Sequence, residues 1–215
     1  MVRIAVYSLK GGVGKTTLAV NLAWCSATLS SRKTLLWDLD AQAAASFLVA
    51  GDRKPKRRAE AVYEREIKPS KLIRSTDIER LDYLTADASL SRLDRLFFDL
   101  GKKKRLARII DDVREDYDRV IIDCPPGAGD TAAQALYAAD IALVPVTPSP
   151  LATRAFDQVA RLIETHHDGK TSILPVYTMI DRRRKLHLEA LAAHPDWPVI
   201  PYASVAEQMA DVRRP

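Results

Sequence analysis

The run Ser8-Leu9-Lys10-Gly11-Gly12-Val13-Gly14-Lys15-Thr16-Thr17 constrains this chain more than any other stretch. It joins the apolar segment Ile4-Ala5-Val6-Tyr7 to a segment with apolar residues at Leu18, Leu22, Cys25 and Leu29, a helical spacing. A glycine-rich turn between a strand and a helix lets the backbone fold tightly and aim several N–H groups at one anion, with no Cβ in the way. The helix dipole adds to that attraction. The stretch therefore predicts a polyphosphate cradle made of Lys10, Gly11, Gly12, Val13, Gly14, Lys15, Thr16 and Thr17. In such a loop Lys15 reaches the β- and γ-phosphates and the Thr16 hydroxyl ligates Mg²⁺, while Thr17 adds a hydroxyl near the α-phosphate.

The loop departs from the general pattern G-x-x-x-x-G-K-[ST] in one respect. Leu9 stands where that pattern has its first glycine, and an additional lysine, Lys10, opens the turn. With that lysine the run Lys10 to Thr17 resembles the deviant Walker A motif, K-G-G-V-G-K-T-T, of the ParA/MinD family of P-loop ATPases.

Two further strand ends extend the resemblance. Thr34-Leu35-Leu36-Trp37-Asp38-Leu39-Asp40 is an apolar strand with carboxylates at its C-terminal end, where open α/β sheets place ligands. Asp38 to Gln42 matches the family's D-x-D-P-Q, with Ala41 in place of the proline. By the resemblance Asp40 positions the attacking water, and Asp38 supports Mg²⁺ and its water shell; either carboxylate could instead cap a helix over Ala41–Val49. Arg119-Val120-Ile121-Ile122-Asp123 is the Walker B pattern, an apolar strand ending in a carboxylate that holds Mg²⁺. Cys124-Pro125-Pro126 matches the family's x-P-P, and Pro125, Pro126, Gly127 and Gly129 would form a loop that senses the γ-phosphate. Cys124 has no evident base beside it and reads as a packed thiol.

Between these stretches the chain alternates strand and helix. Strands are expected over Arg3–Ser8, Leu81–Thr85, Asp140–Val146, Ser172–Ile180 and Val199–Pro201, and helices through Leu90–Phe97, from Lys102 to about Glu115, over Ala152–His166 and Leu186–Ala193, with a final turn or two at Val205–Met209. The fold class is α/β, a mainly parallel β-sheet flanked by helices on both faces. Residues 1–215 read as a single P-loop ATPase domain, a size that can bury a substantial core.

The family's T-M-x-D segment matches Thr178-Met179-Ile180-Asp181, and its I-P-x-x-x-x-x-E segment matches Ile200 through Glu207. By the resemblance Met179, Asp181 and Pro201 border the adenine of bound ATP. Tyr202 replaces the family's usual arginine, and the chain stops soon after Glu207, so the usual C-terminal helix is expected to be shortened or lost.

A net charge of +5 favours an acidic partner, nucleic acid or an anionic membrane. The two cysteines have no metal-ligand spacing, and neither a signal pattern nor a run of ~18 apolar residues is visible, which predicts a cytoplasmic protein. The resemblance implies an ATP-bound homodimer in which Lys10 crosses the two-fold interface to the partner's nucleotide. It also implies non-specific DNA binding, nucleoid association, and slow hydrolysis stimulated by a ParB-like or cargo-adaptor protein, with a plasmid, chromosome or protein assembly as cargo. DNA-contact candidates are Arg182, Arg183, Arg184, Arg213 and Arg214, the alternative being that these charges are simply solvated. The basic run Asp52–Arg58 and the lysines 102–104 read first as solvated segments. A MinD-like membrane-cycling ATPase is the second reading, but the tail from Met209 to Pro215 is too short and acid-interrupted for an amphipathic anchor. An iron-protein relative would need paired bridging cysteines, and a related bacterial tyrosine kinase would need a tyrosine-rich tail; the sequence has neither.

Overall fold

A computed structural model describes residues 1–50, 57–100, 104–166 and 171–212. Eight strands form one sheet: β1 (Val2–Val6), β2 (Thr34–Asp38), β3 (Ile73–Ser75), β4 (Leu81–Leu84), β5 (Arg119–Asp123), β6 (Ile141–Val146), β7 (Ser172–Ile180) and β8 (Val199–Pro201). Their spatial order is β3-β4-β2-β5-β1-β6-β7-β8, and every pairing is parallel except β3 with β4. The helices are α1 (Lys15–Thr28), α2 (Ala44–Ala50), α3 (Glu60–Tyr63), α4 (Leu93–Leu100), α5 (Arg105–Asp111), α6 (Asp130–Ala138), α7 (Pro150–His166), α8 (Lys185–Ala193) and α9 (Ser204–Val212).

The strand sequences explain the layering. Side chains on a strand alternate between faces, and a sheet covered on both faces therefore reads as a continuous apolar run. Ala5, Leu35, Trp37, Val120 and Ile122 enter one buried cluster, which α4, α5, α6 and α7 help to close. Their neighbours Val6, Leu36 and Ile121 enter the other, against α1 and α2, with Met209 of α9 completing it.

The structure adjusts several sequence expectations. The helix expected over Ala41–Val49 begins at Ala44, because residues 41–43 form a turn: Ala43 has φ 54° and its N–H donates to the Asp40 carbonyl at 2.9 Å. Residues 88–92 are 3-10 helix before α4, and the expected helix from Lys102 to about Glu115 is confined to Arg105–Asp111. Helices α3 and α6 and the antiparallel edge strand β3 are additions. The last helix is nine residues, Ser204–Val212, longer than the turn or two expected. Positions 52–56, 102 and 103 of the basic segments lie outside the described residues; of the former run, Arg58 is exposed and stands 3.5 Å from Glu60.

Register fixes what the strands deliver. Val6 and Asp38 are both Cα partners of Asp123, so β1, β2 and β5 end level with one another at their C-terminal edge. Ser46 of α2 stiffens that edge: its N–H and hydroxyl donate to Asp38 Oδ2 at 2.8 and 2.7 Å, and its Oγ accepts from the Ala86 N–H at 3.0 Å. All three bonds are buried, and removing the hydroxyl strands the Ala86 N–H. Ser46→Ala is expected to cost about 1–3 kcal/mol. Thermal unfolding without nucleotide should register a midpoint about 2–12 °C lower, at the roughly 2–4 °C per kcal/mol of a domain this size.

Candidate functional site

The loop from Leu9 to Gly14 leaves β1 and feeds α1. Gly12 (φ 70°) and Gly14 (φ 87°) occupy the left-handed region that only glycine enters cheaply. At Gly12 a Cβ would meet nothing within 4 Å, so conformation rather than crowding requires the glycine. Gly14 is the N-cap of α1, with no side-chain cap and no acidic residue in the first turn, which keeps the helix's first N–H groups available to an anion. The loop is pinned to β7 by Thr178, whose hydroxyl donates to the Val13 carbonyl at 3.0 Å.

Lys15 is buried, and its Nζ donates to the Lys10 carbonyl at 3.2 Å. Burial pulls its pKa down, against the attraction of Asp123, Cys124 and Asp40. The Lys10 ammonium itself makes no hydrogen bond or ion pair among the described residues.

Asp123 is fully buried and neither carboxylate oxygen has a hydrogen-bond partner among the described residues. Burial and then the Asp38 charge push its pKa up to about 8, with Asp40 adding to the rise and the nearby Thr16 hydroxyl and Lys15 opposing it. Asp38 is equally buried but well supplied: Ser46 donates twice to Oδ2, and the Asp40 N–H donates to Oδ1 at 3.1 Å. Burial raises it to about 6 against those bonds. Of the two, Asp123 alone offers open oxygens. An orphaned buried carboxylate beside the Thr16 hydroxyl fits a hard cation such as Mg²⁺, which takes oxygen ligands.

Asp40 lies past the end of β2, half-buried, with Oδ1 accepting from the Gln42 N–H at 2.9 Å and Oδ2 without a hydrogen bond among the described residues. It lines a cleft of about 130 Å³ together with Pro125, Pro126 and Gly129. Cys124 is buried, its thiol pushed upward mainly by burial, as a packed rather than reactive group requires.

Beside the loop lies a larger cavity of about 700 Å³, between α1 and the β7–β8–α9 segment. Gly14, Thr17, Met179 and Pro201 line it. Met179 takes φ 57° at the register shift between β7 and β8, which carries its methyl to 3.8 Å from the position of a Gly14 Cβ. Asp181, in contrast, lies outside the cavity wall. Its carboxylate is held by Arg183 in a two-bond contact, Nε to Oδ1 at 2.9 Å and Nη2 to Oδ2 at 3.0 Å, which keeps its pKa low at about 2. Asn21 lines the cavity without having been singled out. Its signal was the helical interval from Thr17, i to i+4, which sets both on one face. Tyr202 closes the rim by donating to Glu207 Oε1 at 2.7 Å.

The arginine triplet is exposed at the start of α8. Arg183 is committed to Asp181, while Arg182 and Arg184 pair with no carboxylate among the described residues. Arg213 and Arg214 lie outside the described residues. Among the described residues no group of three or more His, Cys, Asp or Glu side chains could hold a metal, so a cation here would depend on Asp123, the Thr16 hydroxyl and a bound phosphate. No helix among them is long and apolar enough to cross a membrane.

A parallel sheet whose central strands deliver a glycine loop, a buried lysine and strand-end carboxylates to one edge defines a P-loop nucleotide-binding protein. A family model described as an AAA domain matches residues 1–175. The chain is 32% identical over 196 residues to the sporulation initiation inhibitor protein Soj of Bacillus subtilis, covering 87% of this chain and 76% of Soj. It is also 32% identical to the chromosome partitioning protein ParA of Caulobacter vibrioides, covering 85% and 71% respectively. The chain belongs to the ParA/MinD family of P-loop ATPases, on the ParA side of it. In structure it resembles a Cyanothece McdA–ATP complex (TM-score 0.90, 22% identity, 100% of this chain and 88% of McdA), a likeness of fold. It also resembles the cobyrinic acid a,c-diamide synthase of Mycobacterium smegmatis with bound ADP and magnesium (TM-score 0.84, 26% identity, 99% and 92%).

Lys15 is the cation this site keeps dry. Lys15→Ala is expected to weaken ATP binding about ten- to hundredfold, the worth of a lost charge-assisted contact, as measured by isothermal titration with Mg·ATP.

Proposed function

We propose that this chain is a ParA-type partition or positioning ATPase: it binds Mg·ATP, dimerises around it, holds DNA without sequence preference, and releases both after hydrolysis. The observation that carries this reading is Asp123, whose two buried oxygens have no hydrogen-bond partner among the described residues, in a site with a glycine-rich phosphate loop and a buried lysine. An anionic ligand alone would be repelled there, whereas a nucleotide with its cation satisfies both.

Thr16 and Asp123 would hold Mg²⁺, with Asp38 supplying charge from behind, its oxygens already occupied by Ser46 and the Asp40 N–H. Mg²⁺ held by these residues would supply charge neutralisation at the phosphates. Phosphoryl transfer to water needs positioning and electrostatics rather than covalent help. Lys15 balances the β- and γ-phosphates, and Asp40, with Oδ2 unengaged, orients the water. Lys10, whose ammonium has no partner in its own chain among the described residues, is suited to reach the nucleotide of a second subunit. Slow turnover follows from a site completed only by association, and a ParB-like or cargo-adaptor protein would raise it. The exposed Arg182 and Arg184 are the better DNA contacts, because Arg183 is spent on Asp181. We assign the protein to the cytoplasm and nucleoid on this reading.

Gel filtration and DNA binding with ADP, ATP and a non-hydrolysable analogue test the cycle. The wild type is expected to become a DNA-binding dimer with ATP alone. Lys10→Ala should bind ATP but stay monomeric, and Asp40→Ala should accumulate the ATP dimer with hydrolysis reduced about 10²- to 10⁴-fold. Normal hydrolysis by Asp40→Ala would remove Asp40 from the catalytic role. Replacing Arg182 and Arg184 together by Ala should lower the salt slope of DNA binding by about one unit per residue; an unchanged slope would place the DNA surface elsewhere.

A further inference from the structure

The loop between β5 and α6 opens with Pro125 and Pro126, which have no N–H with which to tie it down. Its entry is fixed by the Cys124 N–H donating to the Val6 carbonyl at 3.3 Å. Its exit is fixed by Asp94 of α4, whose Oδ1 accepts from the Thr131 N–H at 2.8 Å in the first turn of α6. Asp94 sits so close to Gly129 that a Cβ there would collide with its carboxylate. Between those ends, residues 125–128 make one hydrogen bond to another element among the described residues: the Tyr7 hydroxyl donates to the Gly127 carbonyl at 2.9 Å. Tyr7 is buried in the main core cluster, and its own N–H donates to the Leu143 carbonyl at 3.0 Å, which anchors the side chain through β6.

The tie has a functional address. Tyr7 immediately precedes the phosphate loop, and the segment it restrains contributes Pro125, Pro126 and Gly129 to the cleft of about 130 Å³ that Asp40 also lines. The position of that segment therefore shapes the space beside Asp40.

We propose that Tyr7 is a positioning residue: its buried hydroxyl ties loop 125–129 to the stem of the phosphate loop and thereby holds the wall of the cleft in which Asp40 works. The catalytic part rests on the ATPase reading above; the tie itself does not.

Tyr7→Phe keeps the ring and removes only the hydroxyl, and the carbonyl it frees belongs to Gly127, which is half-exposed and can turn to water. Two measurements on the full chain decide the matter. Hydrogen exchange without nucleotide should quicken about two- to tenfold in peptides spanning residues 124–131, the range of one neutral hydrogen bond, and stay unchanged in α1. Steady-state ATP hydrolysis should lose a similar factor in kcat while KM for ATP stays within about twofold and the thermal midpoint falls by no more than about 4 °C. Unchanged exchange at 124–131 overturns the tie. Quickened exchange with unchanged kcat overturns the positioning role, as does a fall in kcat matched by an equal rise in KM. If the wild type itself hydrolyses no ATP, the ATPase reading fails and the exchange result alone upholds or overturns the tie.

Discussion

The site depends on a carboxylate that the protein buries and does not satisfy. Taking an ionised group out of water costs several kcal/mol unless something pays that charge back. Asp123 receives no hydrogen bond among the described residues, and its register partner Asp38 adds like charge from the neighbouring strand. Lys15, the compensating cation, is itself buried and donates to a loop carbonyl. The N-cap of α1, Gly14, adds backbone N–H groups that no side chain caps. A phosphate would suit the loop and the lysine, a cation would suit Asp123, and only the two together suit the whole.

The arrangement is a consequence of strand register. β1 and β2 pair in parallel with β5 and end level with it, so three chain segments far apart in sequence present Tyr7, Leu39 and Cys124 just beyond one edge. Ser46 then sorts the two buried carboxylates: by donating twice to Asp38 it turns that residue into scaffold and leaves Asp123 as the open ligand. One hydroxyl from a short helix thus accounts for the different hydrogen bonding of the two strand-end aspartates among the described residues.

The sequence separates the two by motif, Asp123 at the end of the Walker B strand and Asp38 in the D-x-D run, but it does not show that Ser46 occupies Asp38. The loop was legible because glycines at positive φ next to Lys-Thr have few other uses, and the central strands because runs buried on both faces stay apolar throughout. Helix α6 was not legible: Asp130–Ala138 is largely alanine, and its buried face, Ala132, Ala135 and Leu136, gives little contrast with its exposed one. Edge strand β3 is three residues long and carries arginine and serine, too short for a period to emerge. The resemblance fixes the position of Asp181 in the chain and not its partner, which is the arginine two residues on.

The loop after Asp123 shows how a segment can be both placed and free to respond. Two prolines limit its backbone and remove its donors, while Gly127 at φ 92° allows the sharp turn that follows. Such a segment cannot hold itself through its own N–H groups, so its position is set by what neighbouring elements offer: a backbone carbonyl at Val6, a phenol at Tyr7, a carboxylate at Asp94. Two of those three come from Val6, the last residue of β1, and Tyr7, the residue after it, so the phosphate loop and the loop after Asp123 share one strand end.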